Sequence, residues 1–234
     1  MTLRARTIEA MGFMIEAVAE SKEFNENVQK ITAFLITVLN SGLTNDDPQI
    51  LAIKETLSKI SYYLKEDFHV FMGSLMPSLI NDTNLDIDIK MESADMASKD
   101  GNAGLTFKMK GFEGNQRISM NTSALESKVS AFKLINSVSE SMGTAFAPYA
   151  EATLPIMIQN MSYVYSKNIR KYAMGTILNI QIAVGEPNNV TLFKNVAPFF
   201  VKLLANNIEK EDVKELKLVL KNLWLLIKNL NETN

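Results

Sequence analysis

The stretch Leu75-Met76-Pro77-Ser78-Leu79 places a proline inside an apolar segment, and the same arrangement returns twice along the chain. Its counterparts are Leu154-Pro155-Ile156-Met157 and Ala197-Pro198-Phe199-Phe200. The later two prolines are 43 residues apart, whereas the first two are 78 residues apart. Proline inside a helix removes one hydrogen bond and bends the axis. A bend that recurs once per unit is expected for the outer helices of a curved stack of helix pairs.

Residues that favour helix starts give the same period. Five starts are predicted at residues with capping side chains: Thr2, Asp47, Ser123, Ser166 and Asp212. Pro48 follows Asp47 at the position that favours proline, and Ser123 and Asp212 each precede a glutamate by three residues, as in a capping box. The gaps between starts are 45, 76, 43 and 46 residues. HEAT and armadillo units span ~40–47 residues, so both markers indicate one insertion between the same two units.

The predicted helices alternate between outer and inner members of pairs. An unpaired inner helix at 3–19 precedes the outer–inner pairs, which are 25–40 with 48–64, 67–80 with 124–142, 148–163 with 167–184, and 191–206 with 213–230. The predicted fold class is therefore all-α, a right-handed α-α superhelix of about four and a half HEAT repeats. Residues 1–234 form one array. The apolar first helix predicts a fragment of a longer array, with Met1 as an added start.

Residues 82–122 form the predicted insertion. Its first part is acidic, with Asp82, Asp86, Asp88, Glu92, Asp95 and Asp100. Its second part alternates, so that Leu105, Phe107 and Met109 share one side and Ile118 and Met120 face them. This pattern predicts a flexible acidic loop followed by a short β-hairpin that packs on the helices. The acidic half is either a partner-contacting element or a solvated tether.

Composition narrows the class of protein. Hydrophobic residues make up 47% of the chain and charged residues 21%, which is typical of a folded protein. A net charge of −2 argues against a nucleic-acid-binding surface, and the lack of cysteine excludes disulfides and thiolate metal sites. The sequence contains neither a signal peptide nor an apolar run long enough for a membrane span. We therefore expect a soluble cytosolic or nuclear protein that contacts neither nucleic acid nor membrane.

The sequence offers no catalytic or metal-binding constellation. His69 is the only histidine, so neither a zinc site nor a Ser-His-Asp relay is predicted. The run Asp82, Asn84, Asp86 and Asp88 has calcium-loop spacing, but Ile87 and Ser93 occupy the positions that require Gly and Glu. No enzyme activity, cofactor or metal is predicted.

Two groups of polar residues on the last two inner helices are candidates for partner binding. Lys214, Lys217, Lys221 and Lys228 follow one line on the last helix, and Trp224 lies on it. Lysines around an indole suit acidic or aromatic peptide segments. The alternative is that the lysines are solvated and Trp224 packs on a following repeat. The second group lies on helix 167–184 and is expected at or near the concave surface of the array. Its members are Lys167, Arg170, Lys171 and Asn179. The candidate residues are Lys217, Lys221, Trp224, Lys228, Arg170, Lys171 and Asn179.

Four stretches carry a family resemblance. Residues 4–10 (RARTIEA), 46–50 (DDPQI), 72–76 (MGSLM) and 124–128 (ALESK) occur in an order and spacing similar to the middle-to-late HEAT repeats of importin beta-3 type karyopherins. The similarity covers residues 3–185 and includes an insertion before residue 124. One departure is that the acidic and aromatic run expected in the insertion is reduced to residues 105–107 (LTF).

The resemblance implies a nuclear import receptor. Its partners would be cargo proteins with nuclear localisation signals, Ran GTPase and Phe-Gly nucleoporins, and it would shuttle between cytoplasm and nucleus. The fragment itself is expected to be monomeric. Two alternatives remain open: a general HEAT scaffold, such as a phosphatase regulatory or assembly subunit, and an enzyme with an unrecognised site.

Overall fold

The computed structural model describes residues 2–18, 24–44, 46–87, 89–93, 104–108 and 115–231. The helices are α1 (Thr2–Val18), α2 (Phe24–Leu39), α3 (Pro48–Leu64), α4 (His69–Thr83), α5 (Thr122–Met142), α6 (Ala150–Asn160), α7 (Lys167–Glu209) and α8 (Val213–Asn231). Short 3-10 helices at Lys65–Phe68 and Gly143–Tyr149 lead into α4 and α6. The predicted outer helix at 148–163 is thus shorter as an α-helix at both ends, because residues 148–149 belong to the preceding 3-10 helix and the α-helix ends at Asn160.

The helices form two layers. The inner layer contains α1, α3, α5, the first arm of α7 (167–184) and α8, each packed against the next. The outer layer contains α2, α4, α6 and the second arm of α7 (187–209), which pack on their inner partners. This arrangement is the predicted HEAT solenoid, since each helix pair buries its apolar faces against its neighbours.

The core runs along the array without interruption. Ile53, Leu57, Phe132, Ile177 and Phe200 come from successive units and are each 0% exposed. Burying a side chain of this size stabilises the fold by roughly 1.5–3 kcal/mol. Repeated apolar positions on each helix therefore hold neighbouring units together.

Three of the predicted caps form hydrogen bonds at helix starts. Asp47 accepts from the amide of Gln49 at 2.9 Å, and Asp212 accepts from the amide of Glu215 at 3.0 Å. Ser166 accepts more weakly, at 3.4 Å from its donor amide. Side-chain acceptors of this kind satisfy amides that have no partner within the helix.

The predicted cap at Ser123 is wrong. Helix α5 begins at Thr122, and Asn121 is its cap, with its side-chain oxygen 3.1 Å from the amide of Ala124. The Ser123 hydroxyl donates to that same oxygen at 2.9 Å. Asn and Ser are similarly good caps, so the residue at which the preceding strand ends decides between them.

Three inner helices end at a residue with a positive φ angle. Lys65, Gly143 and Gly185 have φ values of 50°, 53° and 56°. At Gly185 and Glu186 the backbone leaves helical geometry and divides α7 into its two arms. The sequence predicts a longer turn here, with the next helix at 191–206. Pro187 follows the break directly, and proline is favoured in the first turn of a helix, so the second arm begins at once.

The insertion contains a three-stranded antiparallel sheet. Strands β1 (Ile89–Ser93), β2 (Gly104–Lys108) and β3 (Asn115–Met120) lie in the order β1-β3-β2. Leu105 pairs with Ile118, where the sequence predicts a hairpin, and Met91 pairs with Ile118 from the other side.

Strand β1, which the sequence did not predict, corrects the prediction that the acidic half is only a loop. Residues 89–93 alternate between apolar and charged side chains, the period of a strand. Met109 and residues 94–103 lie outside the described residues. Packing of the hairpin on the helices stays a prediction.

Candidate partner-binding surface

The inner layer presents a row of exposed side chains at equivalent positions. Counting three residues back from the closing positions of α3, α5 and the first arm of α7 gives Tyr62, Glu140 and Ile182. Tyr62 is 68% exposed and Ile182 is 56% exposed, and Glu140 is exposed as well. These residues share one face of the inner-layer helices. We call the surface formed by the exposed residues on this face of α3, α5, the first arm of α7 and α8 the inner surface.

Helix α8 continues these rows. The buried residues Ala173 and Ile180 of α7 are matched by the buried Val219 and Leu226 of α8, 46 positions later. By the same offset, Lys217 corresponds to Lys171, Trp224 to Leu178 and Lys228 to Ile182. Lys228 thus occupies a position of the row, and Lys217 and Trp224 precede it by 11 and 4 residues, which places them on the same helix face.

The neighbouring face of the first α7 arm packs against α8. Gln181 donates to the carbonyl of Leu226 at 3.0 Å, and Met174 and Ile177 share its helix face and are buried. Their counterparts on α8 are Leu220, Leu223 and Ile227, a set that contains neither Trp224 nor a lysine. This register favours the hypothesis that Trp224 belongs to the inner surface over the alternative that it packs on another repeat.

Trp224 is 59% exposed, and the Nζ atom of Lys228 lies 5.8 Å from the centre of its ring. Lys217 and Lys221 are exposed on the same side of α8. On the adjacent arm of α7, Lys171 is exposed, with its Nζ atom 5.8 Å from the ring centre of Tyr172. The structure therefore brings these five candidates onto two adjacent helices.

Arg170 is engaged inside the array. Its Nε and Nη2 atoms donate to the two carboxylate oxygens of Glu215 at 2.7 and 2.9 Å, and its Nη1 atom donates to the carbonyl of Tyr163 at 2.8 Å. The hydrogen bond to Glu215 raises the pKa of Arg170. Two-point pairs of this kind are among the stronger polar contacts. Arg170 therefore joins α7 to α8, and a partner would have to compete for it.

Asn179 also links two helices. Its side-chain nitrogen donates to the carbonyl of Asn136 at 3.2 Å and to the hydroxyl of Ser139 at 2.9 Å, both on α5. Gly175 permits this close approach, because a Cβ atom there would lie 2.5 Å from Oδ1 of Asn136. The contacts give Asn179 a structural role between α5 and α7.

A cleft between α3 and α5 was not predicted from the sequence. Tyr62, Ser58, Lys65, Ser137, Glu140 and Ser141 line it, and its volume is about 290 Å³. Tyr62 and Glu140 are separated by 78 residues, the same interval as Pro77 and Pro155. Comparing exposed residues at the repeat spacing would therefore have placed Tyr62 and Glu140 at equivalent positions of neighbouring helices.

A buried lysine fixes the start of the insertion. The Lys54 side chain is 0% exposed, and its Nζ atom lies 2.7 Å from Oδ2 of Asp82 and 3.0 Å from the hydroxyl of Ser127. Burial lowers the pKa of Lys54, and the attraction of Asp82 opposes this shift. Lys128 donates to the carbonyl of Leu85 at 3.1 Å. Asp82 thus belongs to an internal ion pair and is not part of a solvated acidic loop.

Within the described residues, no group of three His, Cys, Asp or Glu side chains is placed to hold a metal ion. In the same part of the chain, no helix has the length and apolar composition that a bilayer span needs.

No protein-family model matches the chain. Among solved structures, Kap121p matches with a TM-score of 0.71 and 19% identity, over 97% of this chain and 22% of Kap121p. Kap121p bound to Ste12p matches with a TM-score of 0.71 and 18% identity, over 98% of this chain and 23% of that one. Kap121p bound to RanGTP matches with a TM-score of 0.68 and 17% identity, over 97% and 23%.

The chain spans less than a quarter of the length of these Kap121p chains. At such identities the likeness defines the fold. The chain therefore has the fold of a segment of the HEAT-repeat solenoid of the karyopherin Kap121p.

Proposed function

We propose that this chain is a segment of a nuclear import receptor that binds cargo, Ran or nucleoporins on its solenoid surface. The observation that carries the proposal is the likeness over 97–98% of the chain to Kap121p, which has been solved with RanGTP, Ste12p, Nup53p and Pho4p. The sequence resemblance to importin beta-3 type karyopherins supports the same function. A protein with this function shuttles between cytoplasm and nucleus.

The inner surface supports a binding role over a catalytic one. Its exposed positions change from Tyr62 and Glu140 at one part of the array to Lys217, Lys221 and Trp224 at another. An open surface of this kind contacts an extended partner through many side chains. A catalytic site would instead need a pocket with convergent titratable groups.

The test uses the natural protein that contains this sequence. It is immobilised and incubated with cell extract, and the bound proteins are challenged with Ran loaded with a non-hydrolysable GTP analogue or with GDP. An import receptor should release its bound cargo with the GTP form only. A protein that retains its partners under both conditions would instead be a HEAT scaffold, and the proposal would be rejected.

A further inference from the structure

The inner-layer helices at the C-terminal part of the described chain carry an unusual balance of charge. Five lysines on the first arm of α7 and on α8 are exposed, and we call them the basic surface: Lys167, Lys171, Lys214, Lys217 and Lys221. Residues 167–184 contain no acidic residue, and residues 213–231 contain only Glu215. Glu215 is 6% exposed and its two oxygens accept from Arg170. Glu215 is thus paired with Arg170 and does not neutralise the exposed lysines on these two helices.

The charges of the basic surface act together. Lysines four residues apart on a helix are separated by about 6 Å, and neighbouring helices lie about 8–10 Å apart. Both distances are within or close to the Debye length of about 8 Å at physiological ionic strength. The lysines therefore repel one another, and a partner with several carboxylates would relieve that repulsion.

Apolar side chains lie beside the basic surface. Trp224 is 59% exposed and Ile182 is 56% exposed, and each lies on the same helix face as lysines of the basic surface. An indole flanked by lysines can contact an aromatic or aliphatic side chain while the ammonium groups contact carboxylates. The adjacent charge and apolar area together define the chemistry that fits.

We propose that the basic surface binds an acidic peptide segment in which an aromatic or aliphatic residue lies between carboxylates. This inference rests on the proposed function and names the chemical class of one partner segment. Single-stranded nucleic acid can stack a base on Trp224, but it fits less well, because Ile182 is aliphatic and Arg170, which could contact a phosphate or a base edge, is already paired with Glu215. The exposed aliphatic side chain beside the lysines therefore favours a peptide.

Trp224 is the only tryptophan of the chain, so its emission reports directly on this surface. The experiment titrates the complete 234-residue chain with a synthetic peptide of Asp and Glu residues around one Phe, and follows the emission of Trp224 at several salt concentrations. A peptide with Lys at each acidic position and a single-stranded RNA are the comparison ligands. We expect saturable binding of the acidic peptide that weakens as salt rises, and no saturable emission change with the other two.

Charge-reversal variants locate the binding. The variant Lys217→Glu/Lys221→Glu should weaken binding by roughly tenfold or more. The matched control Lys194→Glu/Lys202→Glu makes the same change of net charge at exposed positions of the second α7 arm, and should leave binding unchanged. Circular dichroism verifies that both variants are folded.

Three results would overturn the proposal: equal loss of binding in both variants, stronger binding of RNA, or no saturable change with the acidic peptide. Each of them leaves Ran-dependent release of cargo by the natural protein untouched. Conversely, a protein indifferent to Ran that still binds the acidic peptide here would overturn the proposed function alone. The two inferences therefore fail separately.

Discussion

Replacing Lys54 with Met tests how much the buried contacts of Lys54 with Asp82 and Ser127 contribute to the stability of the fold. The substitution preserves the length and apolar stem of the side chain and removes its charge. In the wild-type chain, Nζ of Lys54 contacts Asp82 at 2.7 Å and Ser127 at 3.0 and 3.1 Å. The variant leaves the Asp82 carboxylate, whose side chain is only 14% exposed, without its cation.

The magnitude follows from what each change leaves behind. Removing one member of a buried ion pair costs about 3–5 kcal/mol, and the partial exposure of Asp82 reduces this, so Lys54→Met should lower the free energy of unfolding by about 2–4 kcal/mol. Asp82→Leu should cost about 3–5 kcal/mol, because it leaves a fully buried cation. The double variant should lie within about 1 kcal/mol of the wild type, since burial outweighs the attraction within the pair and lowers the pKa of Lys54.

The assay is urea-induced unfolding of the wild type, the two single variants and the double variant, followed by circular dichroism. Lys133→Met is the matched control, because its ion pair with Glu55 spans 3.2 Å and both side chains are more than one-third exposed. It should cost less than about 1 kcal/mol. Additive losses in the double variant, or a loss at Lys133 as large as that at Lys54, would refute the reasoning.

Three further predictions concern the backbone, the packing of neighbouring helices and pH. Lys65→Gly should raise the unfolding free energy by about 1 kcal/mol and Gly143→Ala should lower it similarly in urea titrations, because both positions have positive φ; opposite signs would contradict this. Gly175→Ala forces Oδ1 of Asn136 to move, and the helix propensity of alanine offsets about 1 kcal/mol of that cost, so the net loss by the same assay should be at most about 2 kcal/mol and Asn136→Ala should remove much of it; an unchanged loss in the double variant would exclude that clash. Burial lowers the pKa of Lys54 from its ordinary 10.5, so between the two pKa values the unfolded chain binds more protons than the folded chain. The stability of the wild type relative to the Lys54→Met variant should therefore rise with pH in that interval. Urea titrations at several pH values in which this difference falls would contradict a lowered pKa for Lys54.

Local sequence signals predicted most of the fold. Prolines inside apolar stretches and capping residues such as Asp47 and Asp212 act within one or two turns, so they can be recognised without the tertiary structure. They were sufficient to separate inner from outer helices and to locate the insertion. The error at Ser123 arose because two good caps, Asn121 and Ser123, lie two residues apart.

The roles of individual polar residues were harder to predict, because they depend on the neighbouring unit. Arg170 and Asn179 look like surface residues in sequence, yet their partners Glu215 and Asn136 are more than 40 positions away. Lys54 lies on the most buried part of its helix, where a lysine is seldom expected. The register between repeats determines which face of α7 contacts α8. Without that register, residues that link helices cannot be distinguished from residues exposed on the inner surface.

The most direct measurement is hydrogen exchange of the natural protein with and without a partner captured from extract. If the inner surface is the binding surface, bound partner should slow exchange in inner-layer helices such as α3, α5 and α8, and Ran with a GTP analogue should reverse that protection. Protection confined to the outer helices α2, α4 and α6, or protection that Ran does not alter, would contradict a transport receptor that binds through its inner surface.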